Sequence, residues 1–289
     1  MLSALNEISD ILQQNNTLFI ALSTLFGLIV GSFLNVVIYR LPKIMEQEWH
    51  NNCLELQGKE VPNNTKYSLS RPRSACPHCG HKISAWENIP IISYLALRGR
   101  CKGCKVSISM RYPLIEALTG ILIGLISWKF GYSGTTLMAW IFAFALIALT
   151  FIDFDTQLLP DDITLPLLWL GLLFNLNFGF TDLKSAVIGA MAGYLILWSV
   201  YWLFKIIRGK EGMGYGDFKL LAAIGAWFGW KLLPAVILLS STLGAIIGIA
   251  LIVLTKRGKE VPMPFGPFLA IGGIAALFFG QALASFYLP

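Results

Sequence analysis

The chain has 289 residues, of which 56% are hydrophobic and only 13% are charged, and its mean hydropathy is +0.67. This composition excludes a soluble globular domain of that length and predicts a polytopic membrane protein. The formal net charge of +6 requires no nucleic-acid partner, because basic residues concentrate on one side of a membrane protein.

Apolar runs that can cross about 30 Å of hydrocarbon, or nearly so, recur along the chain. They predict an all-α polytopic fold with about eight transmembrane helices. The runs are Leu18–Tyr39, Tyr112–Trp128, Thr135–Ile152, Ile163–Phe178, Leu183–Phe204, Phe218–Trp230, Leu232–Leu254 and Phe265–Phe286. The sixth run is short. The first is longer than the core of a normal signal sequence and has no Lys or Arg before it, so it is expected to remain as an anchor.

The basic residues predict the orientation of these helices. Residues 40–111 hold twelve Lys and Arg residues, and such an excess marks a loop that stays in the cytoplasm. Alternating crossings then put both termini outside and nineteen of the 22 basic residues inside, including those at 205–219 and 256–259.

Three segments are predicted from this arrangement. They are an N-terminal segment with the first transmembrane helix (1–39), a cytoplasmic zinc-binding insertion (40–111) and a membrane core of about seven helices (112–289). The start of the insertion, residues 43–66, is polar and weakly periodic, so irregular structure is expected there.

Four of the five cysteines form two Cys-x-x-Cys pairs with 21 residues between them. Two tight turns of this kind, eased by Gly80 and Gly103, can present four thiolates to one tetrahedral Zn²⁺ that serves a structural role. The predicted ligands are Cys76, Cys79, Cys101 and Cys104. Disulfides are disfavoured, because the loop is assigned to a reducing compartment. His78 and His81 are alternative ligands but are expected to be solvated, and Cys53 is expected to be a free thiol.

The stretch FIDFDTQLLPDD, residues 151–162, places four carboxylates at the end of an apolar run. An ionisable group at membrane depth indicates a functional site by default. Asp155, Asp161 and Asp162 have a simpler explanation as solvated loop residues, and a helix-capping role is favoured for the last two. Asp153 has no adjacent basic residue, so it is the candidate for chemistry.

A second carboxylate, Asp217, follows the alternating glycines Gly212, Gly214 and Gly216 and opens another apolar run. The predicted topology brings Asp153 and Asp217 to the same membrane face. Such a pair can form an aspartyl hydrolase site, with one carboxylate ionised to accept a proton from water and one protonated to polarise the scissile carbonyl. Asp217 at a helix N-terminus is the expected resting base, and Asp153 at a helix C-terminus is the expected resting acid.

Four motifs together closely resemble the bacterial type IV prepilin peptidases, the bifunctional leader peptidase/N-methyltransferases. The motifs are Gly-Tyr-Gly-Asp at 214–217, IDFDTQLLPD at 152–161, GSFLNVVIYRLP at 31–42 and the two Cys-x-x-Cys pairs. The resemblance covers nearly the whole chain. It implies an inner-membrane aspartyl protease that shares the Gly-x-Gly-Asp motif with presenilin-like enzymes, with Asp153 and Asp217 as catalytic residues and the four paired cysteines as zinc ligands.

The resemblance also implies the substrates, which are prepilins and pseudopilins of type IV pili and type II secretion. These are cut at the cytoplasmic face, after a leader ending in glycine, and their new α-amino group is methylated by S-adenosylmethionine. No sequence pattern reveals the pocket for this co-substrate. Asn35, Arg40, Glu87 and Asn88 lie in family-like stretches, but surface or helix-end roles are equally open for each.

Other function classes stay open. A proton-coupled transporter also uses intramembrane acids, but it predicts acids near the bilayer midplane and helices broken in matching halves. A zinc-knuckle assembly platform predicts that the aspartates only cap helices. A peptidase without methylation is a narrower alternative.

Overall fold

The computed structural model describes residues 2–61, 67–177, 179–210, 212–255 and 263–285. Within these ranges the chain is helical, and the only β structure is two isolated bridges in the insertion. The α-helices are α1 (Leu2–Gln14), α2 (Asn16–Leu56), α3 (Ile92–Ala96), α4 (Arg111–Phe130), α5 (Gly134–Thr156), α6 (Asp161–Phe174), α7 (Leu183–Arg208), α8 (Tyr215–Phe228), α9 (Leu233–Thr255) and α10 (Gly266–Ser285).

Each of the eight apolar runs forms a helix, which confirms the predicted all-α class. Among the described residues, six helices are long and apolar enough to cross a membrane: α2, α4, α5, α7, α9 and α10. The fourth and sixth runs form α6 and α8, which have 14 residues each and a length of about 21 Å. The basic residues at 256–259 and the run ends Phe178 and Phe286 lie outside the described residues.

The helix α2 has 41 residues and continues well past Tyr39, the predicted end of the first span. The prediction of irregular structure from residue 43 is therefore wrong as far as Leu56. Residues 43–56 contain many good helix formers, including Lys, Met, Glu, Gln and Leu, and they extend a helix that the membrane segment has already nucleated. The N-terminal helix α1 is a second element that hydropathy does not predict.

The chain divides into two compact units between Thr136 and Leu137. In the first unit, α2 packs along α4, and small residues let the two backbones approach closely. A Cβ atom added to Gly31 would lie 2.9 Å from the Cα atom of Glu116. The predicted division into three segments stays a prediction.

In the second unit, α8 packs against α6, α7 and α10. The helices α6 and α8 run parallel, because contacts join their beginnings and their ends. Lys219 pairs with Asp161 where both helices begin, and Asn175 donates a hydrogen bond of 2.7 Å to the carbonyl of Ala226 where both end. Both helices therefore begin at the same end of the unit.

The helix α7 lies so close to α8 that no side chain fits between them at their crossing. A Cβ atom on Gly225 would collide with the carbonyl oxygen of Gly189, and a Cβ atom on Gly189 would collide with that of Gly225. A Cβ atom on Gly193 would lie 2.6 Å from the carbonyl oxygen of Leu221. Close contact of this kind stabilises helix pairs in membranes, and it holds α8, with Asp217 in its first turn, in place.

Candidate active site and metal centre

The two predicted catalytic aspartates lie at the ends of two helices of the second unit. Asp153 is in the last turns of α5 and is 4% exposed, whereas Asp217 is in the first turn of α8 and is 7% exposed. Both residues lie beside Leu159, which contacts Gly216, directly before Asp217, and Gly266, which donates to Asp153. The structure therefore brings together the pair that the predicted topology assigns to one face.

The start of helix α10 contacts Asp153 of this pair. Its first residue, Gly266, donates its N–H to Oδ2 of Asp153 at 2.9 Å. A Cβ atom at this position would lie 2.6 Å from the same oxygen, so glycine alone lets the backbone come this near without displacing the carboxylate. Sequence reasoning missed Gly266, and the available signal was the Phe-Gly-Pro triplet at 265–267 that opens the last apolar run.

The glycine motif approaches the same site from α8. A Cβ atom on Gly216 would lie 2.7 Å from the Cβ atom of Leu159. Leu159 also contacts the start of α10, where its Cδ2 atom would lie 3.1 Å from a Cβ atom on Gly266. The absence of a side chain at Gly216 thus lets Leu159 approach closely, whereas a Cβ atom on Gly214 would meet no atom closer than 4.0 Å.

One oxygen of Asp217 has no hydrogen-bond partner. Its Oδ1 is buried, and no donor among the described residues reaches it. An unpaired buried polar atom is costly, and in native proteins it marks an ordered water, an ion or a catalytic role. The assignment of Asp217 as the resting base and Asp153 as the resting acid stays a prediction.

The other carboxylates of the stretch 151–162 have different environments. Asp161 and Asp162 lie in the first turn of α6, where a negative charge stabilises the helix dipole. Neither forms the predicted cap, because the N-cap residue is Pro160, which makes no side-chain capping bond. Asp161 instead pairs with Lys219, whose Nζ lies 2.7 Å from both carboxylate oxygens. Asp155 is exposed.

The four predicted metal ligands converge in the first unit. The Sγ atoms of Cys76, Cys79, Cys101 and Cys104 all lie within 4.8 Å of one another, with 3.8 Å between Cys76 and Cys104 and 4.0 Å between Cys79 and Cys101. A tetrahedral zinc site with Zn–S bonds of about 2.3 Å needs sulfur atoms about 3.8 Å apart. All four are free thiols, so the cluster fits a metal ion and the disulfide alternative is not realised.

Two tight turns hold the cysteines, and each contains a residue with positive φ. In the first turn it is Gly80, with φ of 70°, as predicted, and in the second it is Lys105, with φ of 61°. The expectation that Gly103 eases the second turn is therefore corrected. Its role is to leave space, because a Cβ atom on Gly103 would lie 3.3 Å from Sγ of Cys79.

Backbone N–H groups favour the thiolate form at two positions of the cluster. The N–H groups of Cys79 and His78 lower the pKa of Cys76 to about 6, and the N–H group of Cys104 lowers the pKa of Cys101. Because the thiolate is the form of cysteine that binds a metal, these N–H groups favour the metal-binding form at Cys76 and Cys101. At Cys79 a backbone N–H group is outweighed by burial and the neighbouring thiols, which raise the pKa of that thiol to about 11.

The two histidines considered as alternative ligands do not join the sulfur cluster. His78 is exposed, and Nε2 of His81 lies 3.2 Å from both carboxylate oxygens of Glu87. Glu87 also accepts the N–H of Ser84 at 2.8 Å, and these bonds from Ser84 and His81 lower the pKa of Glu87 to about 2. Glu87 therefore holds His81 outside the metal centre. Cys53 is an exposed free thiol on α2, as predicted.

A cavity of about 430 Å³ lies in the first unit between α2, α4 and the cysteine turns. Asn35, Arg40, Glu87 and Asn88, to which sequence reasoning assigns no role, all line it. Sequence reasoning missed another lining residue, Glu116 of α4, which is 8% exposed. Its signal was a lone acid inside an apolar run, the same signal that singles out the catalytic candidates.

Comparison with known proteins assigns both halves of the chain. Residues 25–130 match the bacterial peptidase A24 N-terminal domain, and residues 140–249 match the type IV leader peptidase family. Proteins named prepilin leader peptidase/N-methyltransferase are similar to it: one from Aeromonas salmonicida (strain A449) is 54% identical over 94% of each chain, and one from Pseudomonas aeruginosa is 51% identical over 96% of this chain and 97% of its own. The chain belongs to the type IV leader peptidase family.

The two matched segments of this leader peptidase family member contain the two sites. The segment 25–130 holds the sulfur cluster and the cavity, and the segment 140–249 holds both aspartates. No solved structure matches the chain.

Proposed function

We propose that this multi-pass membrane protein removes the leader from type IV prepilins and pseudopilins and then methylates the new N-terminus. One observation carries the proposal: the buried pair of Asp153 and Asp217 occurs in a chain that is 54% identical, over 94% of its length, to a prepilin leader peptidase/N-methyltransferase. The chain is accordingly both a hydrolase and a transferase.

Asp153 and Asp217 are the proposed catalytic residues of an aspartyl endopeptidase. The ionised carboxylate takes a proton from water, whose oxygen bonds to the scissile carbonyl carbon while the protonated carboxylate donates to the carbonyl oxygen. Collapse of the resulting gem-diol breaks the C–N bond, and the amine leaves with a proton from the pair. The buried Oδ1 of Asp217, which lacks a partner, is available to contact the attacking water or the scissile carbonyl oxygen, and the assignment of Asp217 as the base stays a prediction.

The protein is proposed to lie in the bacterial inner membrane with eight crossings and with its active site and zinc loop facing the cytoplasm. The parallel arrangement of α6 and α8 supports this count. If these helices did not cross, Lys205 and Arg208 at the end of α7 would lie on the side opposite the basic insertion, against the rule that basic residues stay inside.

The four clustered cysteines are proposed to hold a structural Zn²⁺. Four thiolates fill a tetrahedral coordination sphere and leave no open position for catalysis. The surrounding residues are mostly exposed, so this segment has little apolar core of its own. A bound metal supplies the folding free energy that such a segment lacks.

S-adenosylmethionine is the proposed methyl donor, as expected for an N-methyltransferase. When bound, it supplies an electrophilic methyl group, to which the amine lone pair bonds as the S–C bond breaks toward sulfur and a proton leaves the nitrogen. The cavity of about 430 Å³ in the first unit falls within the range of about 300–1,000 Å³ found for small-molecule sites.

The proposed partners are prepilin and pseudopilin substrates that reach the enzyme through the lipid bilayer, and nucleic acid is not among them. An apolar substrate helix in the membrane would deliver its leader junction to the depth of the aspartates. A basic leader would be kept on the cytoplasmic side by the rule that orients the enzyme itself.

Mass spectrometry of a co-expressed prepilin tests the peptidase proposal. The native enzyme is expected to yield a shortened product that is heavier by one CH₂ unit than the unmethylated form. Asp153→Asn and Asp217→Asn are expected to leave the prepilin intact. Asp155→Asn is the matched control, because it makes the same change at an exposed position of α5. If Asp153→Asn or Asp217→Asn still cleaves the prepilin when the variant is present in the membrane at the level of the native enzyme, the substituted aspartate is not catalytic.

A further inference from the structure

We propose that the cavity between α2, α4 and the cysteine turns is the S-adenosylmethionine site, and that Glu116 binds the cationic part of this donor. The inference rests on the proposed methyltransferase function and names the residues that serve it. The methyl donor carries an adenine ring, a carboxylate and two cationic centres, an ammonium and a sulfonium. A site for it therefore needs aromatic, cationic and anionic groups within one small volume.

Glu116 supplies the anionic group. It lies in a helix apolar enough to cross a membrane, yet its side chain lines the cavity and is 8% exposed. Oε2 accepts the N–H of Ile91 at 2.8 Å, and Ser32 lines the same cavity. Both of these groups are neutral. A buried carboxylate held by a neutral donor is suited to a cationic ligand, and an acid at this depth indicates function by default.

The backbone beside Glu116 is strained in a way that fixes its carboxylate. Ile91 has φ of 61°, a conformation that is rare for a β-branched residue. This conformation accompanies the hydrogen bond from the Ile91 N–H to Glu116. Backbone strain of this kind clusters at ligand sites, where the surrounding structure maintains it.

Aromatic and cationic groups complete the cavity. Tyr94 and Tyr112 line it, and their rings offer flat apolar surface against which adenine can stack. Arg40 is 6% exposed and lines the same volume. It donates to the carbonyls of Ser68 and Leu69 at 3.1 and 3.2 Å, both through Nη1. A guanidinium has five N–H donors, so others remain for the carboxylate of the donor.

Equilibrium dialysis of radiolabelled S-adenosylmethionine against the full-length, zinc-loaded protein in detergent tests the assignment without relying on turnover. The native protein is expected to bind. Glu116→Gln is expected to weaken the affinity by about tenfold or more, because a charged contact to a buried group is lost. Glu48→Gln is the matched control: it makes the same change at an exposed position of α2 that does not line the cavity.

A second variant tests the cavity independently, in case Glu116→Gln fails to fold. Val36 lines the cavity from α2 and is half-buried, so Val36→Trp fills the volume without removing a polar group and is expected to abolish binding. If Glu116→Gln and Val36→Trp both bind like the native protein, the donor binds elsewhere and the cavity assignment is overturned, while methylation stands. If the native protein binds no S-adenosylmethionine and leaves cleaved prepilin unmethylated, the methyltransferase proposal itself fails.

Discussion

Substitution of Gly266 by alanine is expected to impair cleavage by displacing Asp153. The added Cβ atom would lie 2.6 Å from Oδ2 of Asp153, and ordinary van der Waals contact begins at 3.4 Å. The carboxylate or the start of α10 must therefore move by about 0.8 Å, the difference between these distances. A misplacement near 1 Å costs about a hundredfold in rate, which corresponds to about 2.7 kcal/mol of activation free energy.

The assay is a time course of prepilin cleavage by purified enzyme in detergent, at equal enzyme concentrations. Gly244→Ala is the matched control, because its Cβ atom would meet Phe268 at an ordinary contact distance of 3.4 Å and leaves the aspartates untouched. Its rate is expected to stay near the native rate. A native rate in Gly266→Ala would refute the reasoning, because a displaced Asp153 would then have no effect on cleavage. Equal losses in both variants would point to general destabilisation instead.

Two further predictions concern the metal centre and the helix crossing. Cys101→Ser is expected to lower the amount of bound zinc measured by elemental analysis. It is also expected to lower the affinity for S-adenosylmethionine, because Cys101 lines the cavity. Cys53→Ser, at an exposed cysteine, is the control, and equal zinc contents in the two variants would contradict the ligand assignment. Gly225→Ala is expected to lower the free energy of unfolding by about 1–3 kcal/mol, because its Cβ atom collides with Gly189. Gly134→Ala, where a Cβ atom meets open space, is the comparison in thermal melts, and equal melting temperatures would contradict the close crossing.

Much of the candidate active site could be predicted from local patterns. Asp153 and Asp217 stand out because each is an acid at the end of an apolar run, and the distribution of basic residues assigns both ends to one face. The structure brings these side chains together at helix ends. This placement does not match the midplane acids that the transporter alternative predicts. The cysteine cluster could also be predicted from the sequence, because the spacing of its cysteines alone indicates two turns.

The missing parts depend on contacts between distant residues. Gly266 reaches Asp153 across 113 positions of the chain, and the Phe-Gly-Pro triplet around it does not indicate which residue it contacts. The polar residues around the cavity come from α2, the cysteine turns and α4, so their common purpose is visible only after folding. The predicted end of the first helix was wrong for a different reason. The hydropathy of the sequence falls near Tyr39, but residues with high helix propensity continue beyond it, and α2 ends only at Leu56.

The short length of α6 has a consequence for the supply of water. This helix has 14 residues, or about 21 Å, and Leu165 and Trp169 on it are 40% and 63% exposed, as expected for a surface that faces lipid. If α6 crosses the bilayer as proposed, its length falls about 9 Å short of a hydrocarbon layer about 30 Å thick, and the lipids beside it must thin. The headgroups and their hydration then come closer to the start of α6, two residues beyond Leu159, which borders the proposed catalytic pair. On the proposed topology, hydrolysis would draw its water from this thinned part of the membrane, and the cleavage rate is expected to change with the chain length of the surrounding lipids.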